Sequence, residues 1–256
     1  MKVVILAGGF GSRLGSVTDL IPKPMVEIGG KPILWHVMKI YAAHGFREFI
    51  ICLGYKGNII KDYFYHYRNY TQDFTIHLGT GDIRYHNRHP EDWQVTLVDT
   101  GINTLKGGRI KRIEKYLEGD THLLTYGDGV ADIDLKKLTA FHRSHGKIVT
   151  VTGVRPPSLF GEIIEQDNRV VSFEEKAQTS QGLISGGFMV FHRRMMDYLT
   201  ADESCDFEFG PLEKMTADGE VMTYKHPGSW QCADTVRDVN HLNKLWKENR
   251  AFWKVW

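Results

Sequence analysis

The sequence predicts an α/β protein with a Rossmann-like, mostly parallel sheet. Three observations carry that prediction. Residues 2–7 form an apolar run of strand type that opens onto glycines. A second such run, 49–53, follows one amphipathic helix pattern and precedes another. A third run, 122–126, ends on Gly127-Asp128-Gly129. Strand and helix patterns in alternation build a parallel sheet with right-handed crossovers.

The elements follow in order. Pro32 suits a helix start, and Ile33, Leu34, Val37, Met38 and Tyr41 give that helix one apolar face before Gly45 ends it. Ile59, Ile60, Tyr63, Phe64 and Tyr67 mark the second helix. Residues 68–93 break the rhythm and read as an insertion with one short strand at 74–78. A strand is expected at 94–99, with a turn at Thr100-Gly101. Five basic residues between 106 and 115 surround a helix start. Residues 134–145 read as helix and 148–154 as strand. Beyond Pro156-Pro157 the pattern shortens to strands at 162–165, 170–174, 184–191 and 220–226, with helices near 193–200 and 207–218. A final helix is expected over 234–249, then a strongly apolar tail ending on Trp253 and Trp256. No repeat or linker divides the 256 residues, so one domain is expected. Residues 1–150 would be its nucleotide half, 151–233 its sugar-phosphate half, and 234–256 a closing helix and tail.

Composition excludes several classes. A net charge of +1 lacks the basic excess of a nucleic-acid binder. No apolar stretch approaches the roughly 18 residues of a membrane span, and Lys2 precedes too few apolar residues for a signal peptide. Cys52, Cys205 and Cys232 are odd in number and far apart, as expected of reduced thiols in a cytoplasmic protein. His86 and His89 have a metal-like spacing, but their polar surroundings favour a solvated loop over zinc.

The chemistry concentrates near the start. Gly8-Gly9-Phe10-Gly11-Ser12-Arg13-Leu14 is followed by Pro22-Lys23-Pro24-Met25. Glycines let backbone N–H groups approach phosphate oxygens. An arginine adds a fork of donors and a lysine a mobile point charge. The set suits a nucleoside triphosphate. It is not a dinucleotide fingerprint, because Leu14 stands where the third glycine belongs, and no Gly-Lys-Ser/Thr forms a Walker loop. Asp128, at the carboxyl end of a predicted parallel strand, is either a magnesium ligand or a turn aspartate bonding its own backbone. Asp234 precedes a helix and could equally be its cap.

The string at 8–14 with Pro-Lys-Pro-Met closely resembles the sugar nucleotidylyltransferases, which join a nucleoside triphosphate to a sugar 1-phosphate. Over nearly its whole length the chain is similar to the branch that makes CDP-glucose, the glucose-1-phosphate cytidylyltransferases. Further matching strings are Gly54-Tyr55-Lys56-Gly57, Val95 to Gly101, Gly107 to Arg112, Thr125 to Asp132, Trp230-Gln231 and Asp234 to Asp238. The resemblance implies a nucleotidyltransferase-type fold and transfer from CTP to a sugar 1-phosphate, with glucose 1-phosphate the expected acceptor. It implies that Arg13 and Lys23 neutralise the triphosphate and that Asp128 and Asp234 hold Mg²⁺. Leu6, Ala7, Gly8, Gly9, Gly11, Ser12 and Gly127 would line the nucleotide. Thr100 and Gly101 would lie near the base, and Arg109 near the phosphates. Gly161, Glu175, Lys176, Ser185 and Gly186 would form the sugar-phosphate side, although Glu175-Lys176 alone reads as an exposed charge run.

The departures from that pattern fall mostly on the sugar side. Ile21 replaces a lysine, Ala177 a proline, Ser185 an asparagine that commonly contacts the sugar, Gly210 a glutamate, and Ala233 a methionine. A drifted sugar preference is therefore expected to accompany retained chemistry. The tail is too apolar for a free terminus, so it either packs back on the domain or joins a subunit interface. Since the family is commonly oligomeric, a homo-oligomer is expected.

Overall fold

The computed structural model describes residues 1–86, 91–156, 161–175 and 182–256. Its centre is a seven-stranded sheet. The strands are β1 (Val3–Ala7), β2 (Glu48–Leu53), β3 (Gln94–Asp99), β4 (Thr121–Tyr126), β5 (Val149–Val154), β6 (Ile184–His192) and β7 (Val221–Lys225). Their spatial order is β7-β5-β6-β4-β1-β2-β3, so one sheet interleaves strands from both sides of residue 150. β1 pairs in parallel with both β2 and β4, β2 with β3, and β5 with β7. β6 alone runs antiparallel, between β4 and β5.

The five apolar residues of β1 alternate between two cores. Val3, Ile5 and Ala7 face helix α1 (Ile33–Ala43), while Val4 and Leu6 face Ile110, Ile113, Phe191 and Met196. A strand covered on both faces needs an unbroken apolar run, which is why no polar alternation interrupts it. Cys52 is fully buried, as its apolar run implies. The remaining helices of the frame are α2 (Gly57–Tyr65), α3 (Lys106–Arg112), α4 (Leu135–His145) and α5 (Val236–Lys247).

Two expectations need correction. The 68–93 insertion carries a two-stranded hairpin, Phe74–Ile76 paired with Ile83–Tyr85, where the sequence suggests one strand. Its second strand is only three residues and its side chains stay largely exposed, so no burial pattern marks it. The final helix begins at Val236 rather than at residue 234. Thr235 is its cap, in a reciprocal pair with Asp238.

The tail packs back on its own domain. Trp253 is fully buried, and its Nε1 donates to His36 Nδ1 at 3.2 Å. Trp256 meets the edge of Trp35 at 5.8 Å between ring centroids. Asn87 and His89 lie outside the described residues, and His86 Nε2 shares a hydrogen bond with Thr75 Oγ1 at 2.8 Å.

Candidate active site

The parallel strands β1, β2, β3 and β4 all end at one edge of the sheet. After β1 the chain runs outward through β2 and β3 and then returns to the other side of β1 as β4. This reversal of strand order opens a crevice beyond the strand ends. A cleft of about 640 Å³ lies there, lined by the Leu6–Arg13 segment, Lys23, residues 102–106, Arg109, Tyr126 to Asp128, Ser185, Glu208, Trp230, Cys232 and Asp234.

Two carboxylates and two cations meet at its floor. Asp128 follows β4. The short strand Trp230–Cys232 pairs antiparallel with Gly129–Ala131, setting Cys232 opposite Gly129. The backbone N–H of Ala233 donates to the Asp128 carbonyl at 2.9 Å, which delivers Asp234 beside Asp128. Lys23 sits on a tight turn whose shape Pro22 and Pro24 fix, and its side chain is only 12 % exposed. Its Nζ lies 2.5 Å from Asp128 Oδ2 and also contacts Asp234 Oδ1. The largely exposed Arg13 reaches the other Asp234 oxygen, Oδ2, at 2.6 Å.

The electrostatics agree with the geometry. Burial pulls the Lys23 pKa down, but the carboxylates of Asp128 and Asp234 outweigh it and leave it raised. Burial works against the charge of Asp234, yet Lys23, the Cys232 thiol and Arg13 hold it below the usual carboxylate range. The Cys232 thiol donates to Asp234 Oδ2 at 3.4 Å; burial, then Asp234 and Asp128, push its pKa up to about 12. Asp128 thus faces Lys23 across the cleft floor. Asp234 leaves the capping of α5 to Thr235.

Arg109 lines the cleft beside the Gly8 loop. It is buried, and its guanidinium is taken up by the protein itself. Nη1 donates to the carbonyls of Leu53 and Gly101 and to Thr100 Oγ1, at 2.7–2.9 Å. Nη2 donates to the carbonyls of Gly8 and Ile102, at 3.0 and 3.2 Å. A Cβ on Gly8 would come within 2.2 Å of Nη1, and one on Gly54 within 2.4 Å. Those two glycines therefore make room for an arginine that ties three strand ends together. Thr100 is fully buried beneath the cleft, its hydroxyl donating to Leu53, and residues 102–106 supply the lining above it. Gly9 differs, with open space where its Cβ would stand. Gly11 adopts φ +67°, a conformation that favours glycine.

On the opposite wall Ser185 lines the cleft, and the Gly186 carbonyl accepts from Trp230 Nε1 at 2.8 Å. Gly161 and Glu175 are register partners at one end of the hairpin formed by Gly161–Gln166 and Arg169–Glu175. Lys176 and Ala177 lie outside the described residues.

Sequence reasoning missed one cluster. Tyr126 donates to Glu208 Oε1 at 2.6 Å, and Lys106 Nζ meets Glu208 Oε2 at 2.5 Å. Lys106 reads as part of a solvated basic helix face, yet it lines the cleft. Resemblance directs attention to a missing glutamate at 210, where Gly210 takes φ +103° in a turn. The carboxylate that enters the cleft comes two residues earlier. An acidic residue among aromatics, in Phe207-Glu208-Phe209, is the signal that could have found it.

Residues 2–252 match the family model described as Nucleotidyl transferase. The chain belongs to that family. Among nucleotidyl transferases it is 48% identical to the glucose-1-phosphate cytidylyltransferase of Salmonella typhi, over the full length of both chains. It is 44% identical, again over both full lengths, to the probable glucose-1-phosphate cytidylyltransferase of Bacillus subtilis. HddC from Yersinia pseudotuberculosis superposes with a TM-score of 0.68 at 26% identity, covering 96% of this chain and 99% of its own. UDP-glucose pyrophosphorylase bound to UDP-glucose superposes with a TM-score of 0.69, covering 97% of this chain and 99% of that one, at 16% identity, and supports the fold alone. No described helix is long and apolar enough to cross a membrane.

Proposed function

We infer that this nucleotidyl transferase moves the cytidylyl group of CTP onto α-D-glucose 1-phosphate, giving CDP-glucose and pyrophosphate. The observation that carries this reading is full-length identity of 44–48% to relatives so named. The cleft supports it, because the residues such a transfer needs converge on one floor.

A phosphate oxygen of the sugar 1-phosphate attacks the α-phosphorus. The bond from that phosphorus to the bridging oxygen breaks, and pyrophosphate leaves in line. The protein forms no bond in this scheme, so its contribution is positioning and charge neutralisation. Lys23 and Arg13 carry the positive charge for the phosphates. The open space at Gly9 admits a phosphate close to the backbone. Arg109 holds the loops at Gly8, Leu53 and Gly101 in place and acts on the nucleotide through them.

Asp128 and Asp234 are suited to Mg²⁺. Both present an oxygen to one cation in this structure, the Lys23 ammonium, and magnesium prefers one or two carboxylates with water and phosphate completing its shell. When bound, the ion would neutralise charge developing on the phosphates. Ser185 and Glu208 with Tyr126 face the sugar side; Gly161, Glu175 and Lys176 complete that side in this reading.

The test is pyrophosphate release with Mg²⁺, glucose 1-phosphate and each of CTP, UTP, dTTP, ATP and GTP. Turnover with CTP alone is expected. Equal turnover with UTP or dTTP would remove the base assignment. Silence with all five would indicate a different sugar or a nucleotide-sugar-binding homologue without activity. The second possibility is disfavoured because Lys23, Asp128 and Asp234 are all present and in contact. Ser185 and Gly210 favour a shifted sugar preference, which a panel of sugar 1-phosphates reads directly.

We place the enzyme in the cytoplasm, in keeping with its three free thiols. A homo-oligomer is expected, since Phe74, Ile76, Leu78 and Ile83 leave an apolar face exposed on the inserted hairpin. A monomer by light scattering at micromolar concentration would contradict this.

A further inference from the structure

The cleft floor holds a cation between its two carboxylates. Lys23 Nζ touches Asp128 Oδ2 and Asp234 Oδ1 together, and Arg13 takes the second oxygen of Asp234, Oδ2. Two positive and two negative side chains cancel, and Lys23 is largely shielded from solvent. A divalent ion arriving alone would have to displace an ammonium that, among the described residues, has no other anionic partner on the cleft floor. If it entered without displacing it, two like charges would sit a few ångströms apart in a poorly screened site. A triphosphate changes this balance, because its oxygens give Lys23 and Arg13 new partners and free the carboxylates.

We propose that Lys23 is the resident cation of the metal position, so that the divalent ion joins the protein together with the nucleotide and not before it. This rests on the reading of Asp128 and Asp234 as the metal carboxylates. Lys23 then has two successive partners: the carboxylates in the resting protein and the phosphates in the loaded one. No bond is made or broken in the exchange; three cations and their oxygen partners are redistributed. Removing the lysine side chain should therefore expose a bare carboxylate pair that attracts a divalent ion with no nucleotide present.

The experiment is a titration of the full chain with Mn²⁺, followed by electron paramagnetic resonance of the free ion, without nucleotide. Wild type is compared with Lys23→Met and Lys23→Gln, each checked for native circular dichroism. Either folded variant should bind Mn²⁺ about tenfold or more tightly than wild type, the scale of an ordinary coupling between sites. The gain should vanish when Asp128→Asn is added. Equal nucleotide-free affinity in wild type and both variants would overturn the proposal. A parallel titration of wild type with CTP separates the two levels. Protein-bound Mn²⁺ with CTP, without any gain in the lysine variants, overturns only the resident-cation role. No protein-bound Mn²⁺ even with CTP overturns the metal reading as well.

Discussion

The two walls of the cleft are built by different means. On the nucleotide wall, three adjacent parallel strands end together, and Arg109 ties their loops through five hydrogen bonds to Leu53, Thr100, Gly101, Gly8 and Ile102. On the sugar wall, the antiparallel strand β6 supplies Ser185 and Gly186. Glu208 comes from an irregular turn, and a two-stranded hairpin stands apart from the main sheet. The first wall is fixed by sheet ends that a core holds on both faces. The second is assembled from separate short pieces, where one substitution alters a contact without disturbing the frame. Against the family pattern the 8–14 string, Lys23, Asp128 and Asp234 are intact, Ile21 and Ala233 differ beside them, and Ala177, Ser185 and Gly210 differ elsewhere, two of them on the second wall's β6 and turn.

The largest effect should come from the floor the walls share. Asp128→Asn keeps the shape and removes the charge, so turnover should fall about a hundred- to a thousandfold, as when one preorganised electrostatic contact is lost at a reacting centre. The variant should keep its thermal midpoint. Near-normal turnover would remove Asp128 from the chemistry. On the nucleotide wall, Arg109→Met should cost stability as well as affinity. It leaves several buried carbonyls without their donor, at about 1–3 kcal/mol for each group left unsatisfied. Denaturant unfolding should show a loss of about 3 kcal/mol or more, and the KM for CTP should rise while that for the sugar 1-phosphate changes less. A stable Arg109→Met enzyme with unchanged KM for CTP would break the comparison on its better-built side.

The frame beneath the nucleotide wall carries a pH dependence. His36 on α1 is fully buried, and burial lowers its pKa to about 4 despite its bond to the Ile28 carbonyl. It accepts from Trp253 at Nδ1, which leaves Nε2 as the donor to Ile28 and makes the ring neutral. The unfolded chain binds a proton near pH 6.5 and the folded one near 4. The unfolded state therefore holds more protons between these values, and stability falls as pH drops through that window. The contribution is about 3.5 kcal/mol at most, since each tenfold change in proton affinity is worth about 1.4 kcal/mol. His36→Gln keeps a donor and an acceptor without titrating. Its unfolding free energy should change less between about pH 7 and pH 5 than that of wild type. An equal change would show that other groups set the acid sensitivity.

Much of this is legible in the sequence, and the physical reason differs from place to place. The strands β1, β2 and β4 stand within about a residue of where apolar runs put them, because a strand covered on both faces cannot hide its composition. Asp128 is visible at a strand end, and its partner Lys23 between two prolines. Asp234 is ambiguous because a carboxylate before a helix is normally a cap. Only the pairing of Trp230–Cys232 with Gly129–Ala131, a contact far apart in the chain, shows where it goes. The resemblance alone puts Arg109 near the phosphates. No sequence pattern shows that Gly8 and Gly54, far from Arg109 in the chain, leave the space its guanidinium fills. Glu208 and Lys106 escape a sequence reading because side chains converging from a turn and a helix start leave no periodicity to read.

The smallest predicted effect tests the sugar wall. Ser185 lines the cleft with one hydroxyl, where the resemblance expects an amide with a carbonyl and two N–H donors. Ser185→Asn restores that amide at the end of β6, whose backbone Gly186 and Trp230 already anchor. One added hydrogen bond contributes about 1 kcal/mol, which is several-fold in an affinity. If the family asparagine contacts the sugar, the KM for glucose 1-phosphate should fall by about that factor while the KM for CTP stays unchanged, because the change touches neither Arg109 nor the phosphate loop. A matched change in both constants would mean that the two walls are coupled. A rise in the glucose 1-phosphate KM, with a gain for another sugar in the panel, would mean that serine is part of a fitted pocket for a different acceptor. The sugar wall would then be as specific as the nucleotide wall, only tuned to another ligand.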